Sequence, residues 1–398
     1  MAHDEIIYLD NNATTQLDPA VLEEMLPFLT KYYGNPSSGY GFAAKARKGV
    51  DLARERLAAL LGCEGSEIVF TSGGTESNNT AIASALRFEP RGKHVVTSAV
   101  EHSAVLRPCQ DLTKRGCEVT FLGVDRDGNV DLGELEAAIL PETALVSMMW
   151  ANNETGVLFP VDKIAEICRK KGVLFHTDAV QAAGKIPIRL RDTAINFLSL
   201  SAHKFHGPKG VGVLYINRRT SFHPLIAGGG QENERRGGTE NVVSIVGMGK
   251  AAECACEYLS EGKAHVRSMR DRFEKAVLET VNGAAVNGAG AARIPNTASF
   301  SFEGIESPAA LLLLDRHRIC CSAGSACRTG SQEASHVLRA MDPSGDGARR
   351  SLRFSFGWFN TDTQVDRAIE VVPKVIEKLR QMAAPARGSA VSSVATAR

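Results

Sequence analysis

Residues 161–178 read VDKIAEICRKKGVLFHTD, and this stretch decides the fold. Its first eleven residues have the period of a helix: Ile164, Ile167 and Cys168 fall on one face, three and four residues apart. Asp162 sits in the first turn and Lys170 and Lys171 in the last, as the helix dipole favours, and Gly172 follows as a stop. The run VLFHTD then reads as a buried strand that delivers Asp178 at its C-terminal end. In open parallel sheets, sites form beyond the C-terminal ends of the strands, so an acid there is well placed for chemistry.

Around this unit, helix-like and strand-like segments alternate to about residue 255, the pattern of an α/β protein. Residues 1–40 give a short apolar stretch, a polar DNNATT turn, a helix and a Gly-Asn-Pro-Ser-Ser loop. A helix from about 41 to 61 stops at Gly62, and a long charged helix from about 256 opens a second, smaller strand–helix region. The Ser-, Ala- and Gly-rich stretch from 320 to 335 reads as a mobile loop, and the small, polar tail as disordered.

With 43% hydrophobic residues in 398, the chain can bury a sizeable core. Its 46 basic and 45 acidic side chains leave a net charge of +1, with no basic run or aromatic–basic stripe, so no nucleic-acid partner is expected. No apolar run approaches the roughly 20 residues of a membrane span, and MAHDEIIYLD has no apolar core of a signal peptide. Nine cysteines, an odd number in a chain too large to need disulfide staples, point to reduced thiols and a cytoplasmic protein.

Three stretches carry chemistry. In EIVFTSGGTESNN (67–79) a strand runs into Ser-Gly-Gly-Thr and a helix opens; glycines admit an anion close to the backbone, and the helix start presents free N–H groups. This suits a phosphate, although such loops are also ordinary tight turns, and the pattern is neither a Walker A nor G-x-G-x-x-G. In LSLSAHKFHGPKGVGVLYI (198–216), Lys204 stands between two apolar strands, where desolvation lowers a lysine pKa toward the range of a base or Schiff-base nucleophile. Ser201 and His203 beside it are possible anion donors; the plain alternative is a solvated loop lysine. In HTDAVQAAGK (176–185), Asp178 is the acid that a pyridinium nitrogen requires, and Gln181 is placed to reach a ring substituent, unless Asp178 only caps a helix. Together they supply a phosphate cradle, an aldehyde-binding lysine and a pyridinium partner.

From YLDNNATT to about residue 380 the chain resembles the NifS/IscS-type cysteine desulfurases of the class-V aminotransferase family. The motifs are FTSGGTESNN, EHSAVL, WANNETG, HTDAVQAAGK, SAHKFHGPKGVG, GGGQENERRGGTENV, SAGSAC and LRFSFG; VSMMWANNETGVLFP and SHVLRAM resemble the nitrogen-fixation branch most. The resemblance implies the type-I fold of pyridoxal-phosphate-dependent transferases. Its large domain, with a mixed, mostly parallel sheet, would span 15–255. Residues 1–14 and 256–382 would form a smaller α/β domain, and 383–398 a disordered tail. The resemblance also implies that Lys204 holds pyridoxal phosphate as a Schiff base, with Asp178 on the ring nitrogen and Gln181 on the ring oxygen. Gly74, Thr75, Ser201 and His203 would bind the phosphate, and Thr239 would reach the phosphate of a neighbouring subunit, which implies a homodimer. His102 would stack on the ring and handle substrate protons, Asn153 and Arg353 would hold the substrate carboxylate, and Asn12 would lie near the substrate. On residue type alone, His102 could be a satisfied core histidine and Arg353 a surface arginine.

The sulfur acceptor is expected among Cys320, Cys321 and Cys327, since the other six thiols lie on or beside predicted helices and strands. The resemblance places the persulfide cysteine at Cys327, in GSACRTG, where adjacent Arg328 favours the thiolate. A metal site built from these cysteines with His317 or His336 lacks structural-zinc spacing; no resident metal is expected, only transient contact of Cys327 with an iron–sulfur cluster. Two departures from the family pattern stand out: Tyr40 where a histidine often follows Asn-Pro-Ser-Ser, and Ala348-Arg349-Arg350 where Ala-His-Gly often precedes the arginine strand. The function expected is conversion of L-cysteine to L-alanine with sulfur left on Cys327 for a scaffold protein of iron–sulfur assembly, nitrogenase cofactor maturation included. The alternatives are a selenocysteine lyase, another type-I pyridoxal-phosphate enzyme, or a non-catalytic interaction protein on the same fold.

Overall fold

A computed structural model describes residues 5–88, 92–324 and 334–383. Its centre is a seven-stranded sheet in the order Ile68–Thr71, Gly212–Ile216, Phe197–Ser201, Leu174–Asp178, Thr143–Ser147, His94–Ser98, Glu118–Leu122. The five strands from Phe197–Ser201 to Glu118–Leu122 run parallel; Gly212–Ile216 is antiparallel to both of its neighbours. Successive side chains on a strand face opposite ways. Accordingly Val96 and Val146 join one apolar cluster, while Val95 and Leu145 join another. Helix Gly74–Phe88 sends Ala81, Ile82 and Ala85 into the second cluster, and helix Val161–Lys171 sends Ile164, Ala165 and Cys168 into the first. Gly172 ends the latter helix in the left-handed conformation, at φ 67°. Helices therefore cover both faces of a sheet whose inner strands are fully buried, as parallel sheets require.

A second core forms around an antiparallel sheet of Ala284–Val286, Thr297–Phe302 and Ser351–Ser355. Helices Lys263–Thr280 and Asp362–Ala383 bury Phe273, Val277, Val372 and Ile376 against Phe300 and Phe354, and Ile7 and Leu9 from the start of the chain join them. Ile7–Tyr8 pairs in parallel with Ile319–Cys320.

One expected element divides differently. Instead of a single charged helix opening near 256, an apolar helix Val242–Glu257 runs through one π-helical turn, Tyr258–Gly262, into the charged Lys263–Thr280. Ile245, Val246, Met248, Ala251 and Ala255 of the first are buried in the core of the large sheet. Its small residues let it lie close on helix Ala44–Leu61, where a Cβ on Gly249 would stand 2.5 Å from that of Ala53.

Candidate active site

The C-terminal ends of the parallel strands open into a cavity of about 630 Å³ whose walls carry Lys204, Asp178, His102 and Arg353. Each arrives there by a local rule. Asp178 is the last residue of strand Leu174–Asp178. It is buried, and two donors fix its carboxylate: Asn78 Nδ2 to Oδ2 at 2.7 Å and the Val180 N–H to Oδ1 at 3.0 Å. Lys204 ends a single 3₁₀ turn that follows the antiparallel strand's neighbour, Phe197–Ser201, and its Nζ donates to the carbonyls of Asn12 and Ala13, both at 2.7 Å.

Helix Gly74–Phe88 begins on the same wall. Its first N–H groups have no partner within the helix, and Gly74, Thr75 and Glu76 that carry them line the cavity. A Cβ on Gly74 would stand 2.7 Å from Val180 Cγ2, so only glycine lets the helix start this close to the Asp178 turn. Thr75, Ser201 and His203 line the cavity beside it. Burial first, then Lys204, Lys209 and Lys185, push the His203 imidazole down to about 4, so at neutral pH it is uncharged.

His102 caps helix Ser103–Lys114 by accepting the Ala104 N–H at Nδ1, 3.2 Å away. Burial, chiefly, lowers its pKa, which leaves a neutral ring with its proton on Nε2. Arg353 lies in the middle of the strand Ser351–Ser355 and is buried, not a surface arginine. Its Nη2 pairs with Asp10 at 2.6 Å, its Nη1 donates to the Asn153 carbonyl at 2.7 Å, and its Nε is buried without a partner. Asn12 ties the two sheets together: its Nδ2 donates to Thr297 Oγ1 at 2.8 Å and to the Asn153 carbonyl at 3.2 Å.

Asn12, Gly74, Thr75, His102, Asn153, Asp178, Gln181, Ser201, His203, Lys204 and Arg353 thus share one cavity. Thr239 does not: it is exposed, in a loop that an Arg236–Glu76 ion pair at 3.0 Å ties to the cavity helix. Cys327 and Arg328, and the tail beyond 383, lie outside the described residues. The stem of the Cys327 segment is described. Ser322 and Arg353 exchange backbone hydrogen bonds, and Ser335 donates to the buried carboxyl of Glu154 at 2.6 Å. Cys321 is held up by burial, well above the ordinary thiol range, so it makes a poor thiolate.

Sequence reasoning passed over Asp10, Asn78, Glu154 and Lys185, the residues that touch Arg353, Asp178, the Cys327 stem and Gln181. All four stand inside the motifs quoted above, which was the available signal.

The family model "Aminotransferase class-V" matches residues 7–368. A curated cysteine desulfurase from Gluconacetobacter diazotrophicus is 52% identical over 378 residues, covering 94% of both chains. The chain belongs to the class-V aminotransferases. Among solved structures, a "NifS-like protein" superposes with a TM-score of 0.88 at 39% identity, covering 94% of this chain and 100% of that one. "SspA in complex with cysteine" superposes at 0.79 with 36% identity, covering 89% and 99%. Within the family this class-V aminotransferase is a pyridoxal-phosphate-dependent cysteine desulfurase, with the type-I fold of such enzymes. The donor set fits that cofactor: helix N–H groups and hydroxyls where a phosphate would lie, a lysine amine for the aldehyde, and a two-donor-braced carboxylate for the ring nitrogen.

Proposed function

We propose that this desulfurase takes the sulfur of L-cysteine onto Cys327 and releases L-alanine, and that it does so with the residues gathered around the cavity. The observation that carries the reading is the meeting of Lys204, Asp178, His102 and Arg353 on one cavity wall from four distant parts of the chain. Pyridoxal phosphate, bound through its phosphate at Gly74, Thr75, Ser201 and His203, supplies an electron sink for the bond-breaking at substrate carbon. Asp178, braced by Asn78 and the Val180 N–H, would pair with the ring nitrogen and keep it protonated. Gln181 would hold the ring oxygen, and neutral His102 would stand against the ring with an Nε2–H to donate.

Arg353 receives the substrate carboxylate, and Asn153 beside it completes the pocket. Asp10 and the Asn153 carbonyl already fix the plane of the guanidinium, so little ordering remains when the substrate arrives. Lys204, on the cavity wall, would take the substrate Cα proton and later return it, so that the amino-acid product regains its Cα–H. The Cys327 thiolate then attacks the substrate sulfur. An S–S bond forms as the Cβ–S bond breaks, and a proton delivered to Cβ leaves alanine. The persulfide serves a sulfur-acceptor scaffold in iron–sulfur cluster assembly. The resemblance to the nitrogen-fixation branch favours nitrogenase cofactor maturation as its use.

The exposed position of Thr239 suits a homodimer in which it completes the neighbour's phosphate site. Among the described residues no helix is long and apolar enough to cross a membrane, which agrees with work in the cytoplasm. Lys204→Ala tests the assignment. Purified protein should lose the borohydride-trappable attachment of pyridoxal phosphate and essentially all alanine production from L-cysteine. A trapped linkage at another lysine would refute it.

A further inference from the structure

Behind the wall of the site, against the cavity-lining Asn12 and Gln181, lies a buried lysine that nothing in the mechanism above uses. Lys185, the last residue of HTDAVQAAGK, is 7% exposed. Burial first, then Lys204 and Arg353, push its pKa well below the ordinary lysine range. Its Nζ donates to Gln181 Oε1 at 2.5 Å and to Asn12 Oδ1 at 3.2 Å. A buried amine is costly, and a methionine would fill the same space without that cost.

What the amine does is set the direction of two amides. A side-chain amide can turn over at little steric cost, exchanging a donor for an acceptor. With its oxygen held by Lys185, Gln181 must present its Nε2, which donates to the Asn12 carbonyl at 2.8 Å. That same carbonyl accepts Lys204 Nζ at 2.7 Å. The donor end of Gln181 therefore stands beside the reacting nitrogen. Asn12, its oxygen shared between Lys185 and Asn296 Nδ2 at 3.0 Å, turns its own Nδ2 toward Thr297 and Asn153.

We propose that Lys185 is a positioning residue that acts through Gln181, holding that amide with its N–H, and not its oxygen, toward the cofactor's ring oxygen. The proposal rests on the reading of Gln181 given above. It has a spectroscopic consequence. A donor at the ring oxygen competes with the proton of the Lys204–cofactor linkage for that oxygen, and so lowers the pKa of the linkage. Without Lys185 nothing holds the Gln181 oxygen back, the amide turns over, the donor is lost and the linkage pKa rises.

The experiment is an absorbance titration of the cofactor band in holoenzyme without substrate, for wild type, Lys185→Met, Gln181→Leu and the double variant. Cofactor content, checked by borohydride trapping, should match wild type in all four. Lys185→Met and Gln181→Leu should each raise the linkage pKa by about one unit, a tenfold change in proton affinity. The double variant should go no further than Gln181→Leu alone, as expected of two residues that act in series. Lys185→Gln, which keeps an N–H donor and serves also if the methionine variant does not fold, should stay within about a third of a unit of wild type. A shift in Gln181→Leu with none in Lys185→Met, additive shifts, or a full-unit shift in Lys185→Gln would overturn the proposal. No shift in Gln181→Leu would overturn the reading of Gln181 first, and so marks that failure apart.

Discussion

At the scale of single residues, the site concentrates groups that water would not leave in these states. Glu101 is fully buried behind His102. Its Oε1 accepts from Ser98 at 2.7 Å and from the Met149 N–H at 2.9 Å, and its Oε2 has no partner. Burial first raises its pKa from 4.5 to about 8, with nearby Asp178 adding to the rise. The sign follows from proton binding. Between those two values the native state keeps a proton that the unfolded chain releases, so stability falls as pH rises through that window and is unaffected below it. Gln at 101 keeps the acceptor for Ser98 and Met149 and has no proton to lose. Glu101→Gln should therefore gain on wild type by on the order of a few kcal/mol as pH is raised from about 5 to about 8. Denaturant unfolding at the two pH values checks this; an equal gap at both would show that Glu101 does not titrate in the native state. Glu154, raised to about 7 by burial, imposes the same dependence over a narrower window in both proteins. Neither acid was legible in the sequence. Each stands in a quoted motif, but only the folded chain shows that its carboxyl is dry.

At the scale of elements, the sequence was most informative where structure is local. The helix Val161–Lys171 begins and ends where its period, its charges and Gly172 place it, and the strand after it ends on Asp178. The change near residue 258 was missed because an apolar helix and a charged one share a helical period, and the π-helical turn that joins them has no proline to announce it. Pairings across the chain were also out of reach: Asp10 meets Arg353 only because the first strand and the last are brought to the same sheet edge. The start of helix Gly74–Phe88 gives a test at this scale. A methyl at Gly74 would press on Val180, whose branched side chain has little room to turn and whose N–H braces Asp178. Gly74→Ala should fold but set the helix start back from the cavity, at an overpacking cost of about 1–3 kcal/mol, and weaken pyridoxal phosphate binding roughly tenfold or more. Dialysis against known free cofactor, followed by absorbance, measures this; unchanged affinity would mean that the helix start is not the phosphate seat.

At the scale of the whole molecule, two apolar cores meet around the cavity, and the site draws on both. Lys204, Asp178 and the cradle helix belong to the large-sheet unit; Arg353 and Thr297, the acceptor of Asn12 Nδ2, belong to the three-stranded sheet. Of the residues that flank the Cys327 segment, Gly324 lines the cavity, and Ala334 and Ser335 line an adjoining hollow with His102 and Asn153. The α/β class and the list of motifs were readable from the chain, because each motif is a short run with its own chemistry. Their convergence was readable only through resemblance, since order in a parallel sheet is set by contacts between distant segments. The central claim is that cofactor chemistry and sulfur chemistry are carried by different residues, Lys204 for the first and Cys327 for the second. The most direct measurement is L-alanine release from L-cysteine by Cys327→Ala holoenzyme, beside Cys321→Ala and wild type. The account predicts that Cys327→Ala keeps its cofactor and still changes its absorbance when L-cysteine is added, yet releases essentially no alanine, while Cys321→Ala keeps turning over. Sustained alanine release by Cys327→Ala, with Cys321→Ala inactive, would contradict it.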